Sequence, residues 1–182
     1  MILLDVLIIS IIVALLRGGK FRELTKIEFK RLEFIIIPFI FQYILVLAGE
    51  REIEWFSKWG SYLHLFSYVF LLIGIWYNKH IKAISIFGTG ILINFIAILA
   101  NKGQMPVSLW ALKKAGMLNF LPLLTSKNYT IHTLLTSESK LKFLADIIPL
   151  PPPYPRPKVV SVGDVIMAVG VFFLIQRYMV KR

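Results

Sequence analysis

Five apolar blocks, 2–16, 32–48, 59–77, 84–100 and 159–175, recur along a chain of 182 residues. Runs of this length constrain the fold more than anything else in the sequence. A helix of about 20 apolar residues crosses the hydrocarbon of a bilayer with all its backbone hydrogen bonds closed internally. With 57% hydrophobic and only 17% charged residues, the chain has too little polar surface to enclose five such blocks in water. The sequence therefore predicts an all-α, polytopic helical membrane protein: one integral membrane domain with about five transmembrane helices and a long outer segment, 101–158, between the fourth and fifth. No internal repeat marks it as an inverted-repeat transporter.

The first block is the shortest, covering about 22 Å at the ~1.5 Å rise of a helix. It must thin the bilayer, extend past Leu16 or lean on its neighbours. Asp5, the lack of a basic leading region and the lack of a small-residue cleavage site argue against a signal peptide. Gly18 and Gly19 read as a turn. Orientation follows from the short loops, because Lys and Arg are retained on the cytoplasmic side. With the N-terminus outside, the inner loops carry Arg17, Lys20, Arg22, Lys26, Lys30, Arg31, Lys79 and Lys82, and the C-terminus carries Arg177, Lys181 and Arg182. The short outer loop carries only Arg51 and Lys58. Trp55 and Trp59 before Trp76 and Tyr77 suit the two interfacial belts of the third span.

The net charge of +11 does not imply nucleic acid, since the basic residues lie between apolar blocks rather than in a tract with interleaved aromatics. Without cysteine there is no disulfide, thiolate metal site or thiol nucleophile. The outer segment holds eight basic residues against Glu138 and Asp146, a net of +6, which favours anionic headgroups or lipid-carrier phosphates; the plain alternative is a solvated basic face. Within it, 105–124 is apolar enough to lie in the interface or dip in and return. The stretch 137–148 reads as an amphipathic helix with Leu141, Leu144, Ala145 and Ile148 on one face, and the prolines at 151, 152, 153, 155 and 157 read as an extended polyproline strap.

Polar residues inside spans are costly and mark contacts or sites. Asp5, His64 and Asp164 fall at one depth, roughly 6 to 9 Å below the outer end. Gly90, Asn94, Ala97 and Asn101 form one stripe of the fourth span, the kind of face a helix turns to a neighbour. Each residue has a structural reading beside a functional one. Asp5 pairs with the terminal amine or reaches headgroup water; His64 bonds a backbone carbonyl or Asn101; Asn94 joins helices; and 161–164 starts a helix whose free N–H groups meet the Asp164 carboxylate. The candidate ligand-binding set is Asp164, His132, Asn101, His64, Asp146 and Ser161. No metal is expected, because His and carboxylates lack ligand spacing, and no cofactor, because no phosphate cradle is present. A Ser161, His132 and Asp146 triad has no nucleophile elbow around it.

The segments Asn101-Lys-Gly-Gln-Met-Pro-Val107, Leu144-Ala-Asp-Ile-Ile-Pro149 and Ser161-Val-Gly-Asp164, with His132 and Thr136 between them, resemble a family of small polytopic bacterial integral membrane proteins known only as a domain of unknown function. The resemblance spans nearly the whole chain and implies a multi-pass protein of the bacterial cytoplasmic membrane. In that family a second glycine stands where this chain has Lys102. The expected role is binding or transport of a small polar or lipid-headgroup ligand in an outward-facing pocket. The alternatives are an accessory or scaffold subunit docking a membrane-protein partner through its outer segment, and a membrane enzyme acting on lipid-linked substrate.

Overall fold

The computed structural model describes residues 2–180. Its long helices are α1 (Ile2–Leu16), α2 (Glu33–Glu50), α3 (Glu54–Tyr77) and α4 (Lys82–Ala100). After the short helices α5 (Leu109–Lys114) and α6 (Leu121–Thr125) comes a last long helix, α7 (Val162–Met179). Four of these, α2, α3, α4 and α7, are long and apolar enough to cross a membrane, so the fold is a helical bundle of membrane type. The helix α3 starts ahead of its apolar block and is about 36 Å long at ~1.5 Å per residue. Trp55 and Trp59 project near one end and Trp76 and Tyr77 at the other, all exposed.

The helices pack in series: α1 on α7, α7 on α4, α4 on α3 and α3 on α2. The outermost members, α1 and α2, do not pack along one another. The tightest crossing is between α4 and α7, and the residues there explain it. A Cβ on Gly90 would strike the Gly163 carbonyl and lie 2.8 Å from the Met167 nitrogen; one on Gly170 would lie 2.6 Å from the Phe87 nitrogen. Without those methyls the two backbones approach closely, which is how helices gain dispersion energy where lipid offers no hydrophobic drive. The short α1 leans on α7, with Ala14 in a cluster beside Ile175 and Met179. The Gln176 amide donates to the Ser10 carbonyl at 2.8 Å, and the Arg17 guanidinium donates to Gln176 at 2.7 Å. Gly18 adopts a positive φ of 78° in the turn that follows α1.

The 101–158 segment differs from the helix-and-strap expectation. It contains β1 (Met105–Val107) parallel to β2 (His132–Leu134), and β3 (Ile148–Leu150) antiparallel to β4 (Lys158–Val160). The expected helix at 137–148 is reduced to one 3-10 turn at Lys142–Leu144, with Ala145 leaving it in extended conformation. The backbone partners a helix would have used are taken elsewhere: Asp146 bridges to Val107, and Ile148 pairs with Val160. The polyproline strap is likewise a turn. Tyr154 N–H donates to the Pro151 carbonyl at 3.0 Å. This is what sets Leu150 opposite Lys158, since an extended proline run would carry β4 away from β3. The 105–124 stretch breaks into β1, α5, a 3-10 turn and α6, and does not span.

The segment is fastened to the bundle by its first residues. Asn101 closes α4 by donating to the Ala97 carbonyl at 2.8 Å, and its amide both donates to and accepts from the Lys140 backbone, each at 2.9 Å. Lys102 (φ 59°) and Gly103 (φ 90°) then turn the chain through the left-handed region. A Cβ on Gly103 would lie 2.6 Å from the Ser61 carbonyl oxygen.

Two outcomes follow from this packing. Gly90→Ala and Gly163→Ala are each expected to lower stability by about 1–3 kcal/mol, because the added methyl meets the Gly163 and Met167 backbone in the first case and the hydrogen-bonded Asn94 amide and the Gly90 carbonyl in the second; thermal unfolding in detergent measures this. At position 102 a β-branched residue is strained in the left-handed region by about 1–2 kcal/mol, so Lys102→Val lowers the melting temperature while Lys102→Gly does not.

Candidate functional site

The site grows from the start of α7. Ser161 caps the helix: its hydroxyl accepts the Asp164 N–H at 3.0 Å, and the Asp164 carboxylate accepts the Ser161 N–H at 3.1 Å. This reciprocal box satisfies the helix start from within. Asn94 of α4 joins it, donating to Asp164 at 2.9 Å and accepting from the Ser161 hydroxyl at 2.8 Å. Every polar atom of this buried group is thereby engaged, and it ties α4 to α7 beside the Gly90 and Gly163 approach.

His64 of α3 faces the same region. Its Nδ1 lies 2.8 Å from the Gly103 carbonyl, so the imidazole holds the turn leaving α4; in the neutral ring Nε2 then carries the lone pair. Tyr68, one turn on, meets the imidazole edge-on with centroids 5.3 Å apart. Ser67 donates to the His64 carbonyl at 2.6 Å and accepts from Gln42 of α2 at 2.8 Å.

A third group comes from 101–158. The strand β1 has β2 on one side and Asp146 on the other, with the Asp146 N–H donating to the Pro106 carbonyl and the Ser108 N–H to the Asp146 carbonyl, each at 2.9 Å. This backbone pairing puts His132 and Asp146 on either flank of one short strand. The His132 Nε2 lies 3.8 Å from the Asp146 carboxylate, too long for a hydrogen bond and close enough to couple their charges. The Tyr129 ring stacks on the imidazole, its hydroxyl 3.2 Å from Nδ1. Burial pushes the Asp146 carboxyl well above the usual carboxylate range, with Asp164 adding repulsion. Burial and the nearby His64 hold His132 down to about 3, although 33% of its side chain stays accessible at the cavity wall. Burial also lifts the Tyr129 hydroxyl to about 12, so it remains a donor at neutral pH. The hydroxyl and Nδ1 share one hydrogen bond, whose donor is set by the imidazole tautomer, and Nε2 faces Asp146.

Asp5 of α1 makes a fourth group. Its carboxylate is shared by Arg156 and Lys158 and accepts the Tyr154 hydroxyl at 2.7 Å. Burial and the Asp5 carboxylate raise the Tyr154 phenol to about 12. Asp5 thus meets three side chains from 154–158 and binds the loop between β3 and β4 to the first helix, while the terminal amine expected beside it lies outside the described residues.

These groups border one cavity of about 590 Å³, within the ~300–1,000 Å³ typical of ligand sites. Of the sequence candidates, His64, His132, Asp146 and Asp164 line it, together with Asn94. Asn101 and Ser161 do not: Asn101 clamps the Lys140 backbone, and Ser161 is fully buried against Asn94. The Ser161, His132 and Asp146 triad is therefore not assembled. Among the described residues, no group of three or more His and carboxylate side chains is placed to hold a metal ion. Sequence reasoning missed Tyr68, Gln42 and Tyr129. The first two carry a readable signal, since Tyr68 is one turn beyond His64 and Gln42 is a polar residue inside an apolar block; Tyr129 carries none.

The state of His132 has a pH signature. Its neutral form is favoured in the fold, so the unfolded chain takes up this proton first as pH falls below the ordinary 6.5. Stability held above that pH is lost toward about 3, and His132→Gln is expected to flatten this part of a melting-temperature profile. Asp146, pushed up, has the opposite sign: its contribution is full at low pH and lost as pH rises, so Asp146→Asn should flatten the rising-pH limb.

Comparison with known proteins places most of the chain within one family. A Thermotoga maritima protein carrying the name "Uncharacterized protein" is 29% identical over 171 residues, covering 93% of this chain and 88% of the relative. No solved structure matches the chain. The family model described as "Family of unknown function (DUF5317)" matches residues 26–176, which include α2 to α4, the whole 101–158 segment and most of α7; the chain belongs to this family.

Proposed function

We propose that this protein is a multi-pass component of the bacterial cytoplasmic membrane, with its N-terminus outside and its C-terminus cytoplasmic, that binds a small polar or headgroup ligand in a pocket facing outward. The observation that carries this reading is the convergence of His64, Asp164, His132 and Asp146, from two spanning helices and the loop segment, on one cavity. Desolvating four such groups costs stability, and a bound polar partner offsets that cost. The neutral His132 ring and the Asp146 carboxyl, whose charged form burial disfavours, would offer hydrogen bonds to a ligand hydroxyl or phosphoryl group.

A second reading, docking of a membrane partner, is favoured by a different observation: Trp110 and Phe143 of the loop segment are 60% and 64% exposed. Exposed aromatics of this size suit a protein contact or the membrane interface.

Titration of the detergent-solubilised protein with glycerol 3-phosphate, read as a thermal shift, tests the pocket. The shift is expected to shrink by about tenfold in affinity, or roughly 1.4 kcal/mol, in His132→Ala and Asp146→Asn. An unchanged shift in both would remove these residues from the site. Orientation is tested apart from binding, because the chain has no cysteine of its own. With single cysteines at Lys26 or Lys140 and an impermeant maleimide on intact cells, Lys140→Cys is expected to label and Lys26→Cys to stay protected. The reverse pattern would invert the topology.

A further inference from the structure

The end of the bundle away from the loop segment holds a second cavity. The 101–158 segment leaves α4 at its C-terminus and enters α7 at its N-terminus. The opposite ends of those two helices, with the end of α1, enclose a cleft of about 750 Å³. Three cations line it, one from each element: Arg17 after α1, Lys82 at the first position of α4 and Arg177 in the last turn of α7.

The charge of this cleft is not balanced from within. Among the described residues, no carboxylate lines it. Arg17 donates to the neutral Gln176 amide oxygen at 2.7 Å. No described carboxylate forms an ion pair with Arg17, Lys82 or Arg177. Glu23 lies in the 3-10 turn Phe21–Lys26 that packs on α7, where it pairs with Lys26 at 2.8 Å and stands outside the lining. The start of α4 adds to the same sign, because it has no side-chain cap and no acidic residue in its first turn. Like charges gathered in one cleft repel, and an anion seated among them removes that cost.

The rest of the wall bears on what carries the anion. Ile86 of α4 and Phe173 of α7 line the cleft one turn nearer the middle of the bundle than Lys82 and Arg177, with Phe172 beside them. Phe173 is exposed, and Val169 and Val165 continue from it at steps of four, also exposed. An apolar stripe on the outer side of α7 therefore begins inside the cleft and runs toward the other end of the span. Cations at the head of an apolar stripe match the two parts of an anionic lipid. The guanidinium forks suit phosphate oxygens, and a soluble anion would leave the stripe unused.

We propose that this cleft binds a phosphate-bearing anion whose source is a membrane lipid, with the headgroup phosphate among Arg17, Lys82 and Arg177 and a hydrocarbon chain along Phe173 and Val169. The site shares no residue with the loop-end pocket and stands independently of the reading given for it.

The test uses the full chain in neutral detergent, with binding followed by native mass spectrometry and thermal shift. The probes are phosphatidylglycerol, the water-soluble glycerol 3-phosphate, and diacylglycerol, which has the chains without the phosphate. Phosphatidylglycerol is expected to bind at least about tenfold more tightly than either other probe. The double variant Lys82→Gln, Arg177→Gln should weaken it by about tenfold or more, with the lipid-free melting temperature kept because both side chains are exposed. A matched control, Lys30→Gln with Lys79→Gln, removes as much charge at the same end of the bundle from outside the cleft. It should leave binding within about twofold. Equal losses in the two double variants would overturn the cleft in favour of a basic belt that attracts anionic lipid at large. Unchanged binding in Lys82→Gln, Arg177→Gln would overturn it outright. Glycerol 3-phosphate matching phosphatidylglycerol would overturn the lipid source, and diacylglycerol matching it would overturn the phosphate.

Discussion

The close crossing of α4 and α7 is the contact from which the other arrangements follow. Glycines at 90, 163 and 170 bring the backbones together, and at that level Asn94 reaches the Ser161 and Asp164 capping box. Neither feature works without the other. Separated helices would leave a carboxylate and an amide unpaired at membrane depth, while apolar side chains in place of Asn94 would leave the helix start less complete. With this crossing set, α3 and α2 add on one side and α1 on the other, and the cavity is what remains between the two ends of the series.

Three carboxylates, Asp5, Asp146 and Asp164, are each accommodated by a different device. Asp164 is met by N–H groups at a helix start, Asp5 by two cations and a phenol, and Asp146 by a backbone that locks it beside β1 while burial disfavours its charge. The first two are structural ties, and Asp164 lines the cavity together with the Arg156 and Lys158 that hold Asp5. The third, with His132, is the pair whose charge state is least constrained by direct hydrogen bonds, their 3.8 Å separation being wider than one.

The helical part was legible because its signal is long and redundant. A block such as 84–100 declares a span through many residues at once, and the Gly90, Asn94 and Ala97 stripe names the face turned to α7. The helix start at Ser161 was legible too, since a capping box depends on residues three apart. Legibility stopped in the loop segment. Leu141, Leu144 and Ala145 carry a helical period, yet their backbone lies between strands whose partners are distant in sequence, with Asp146 against Val107 and Ile148 against Val160. Local periodicity holds no information about such pairings. Likewise, nothing local to Asn101 distinguishes a residue aimed at a pocket from one that clamps the Lys140 backbone. The partners of Asp5, Tyr154, Arg156 and Lys158, were illegible for the same reason, since they lie about 150 residues away in sequence.

That last contact bears on how the protein is made. The first helix is the shortest of the five long ones, and the surfaces that hold it, Gln176 and Met179 of α7 and the Asp5 partners at 154–158, follow it in synthesis by more than a hundred residues. During translation α1 enters the membrane well before 154–158 and α7, so its Asp5 carboxylate and its Ala14 face meet their partners only after those later segments emerge. Seating of α1 is therefore coupled to synthesis of residues 154–179: a chain arrested before 154 lacks both the Tyr154, Arg156 and Lys158 groups around Asp5 and the α7 surface beside Ala14.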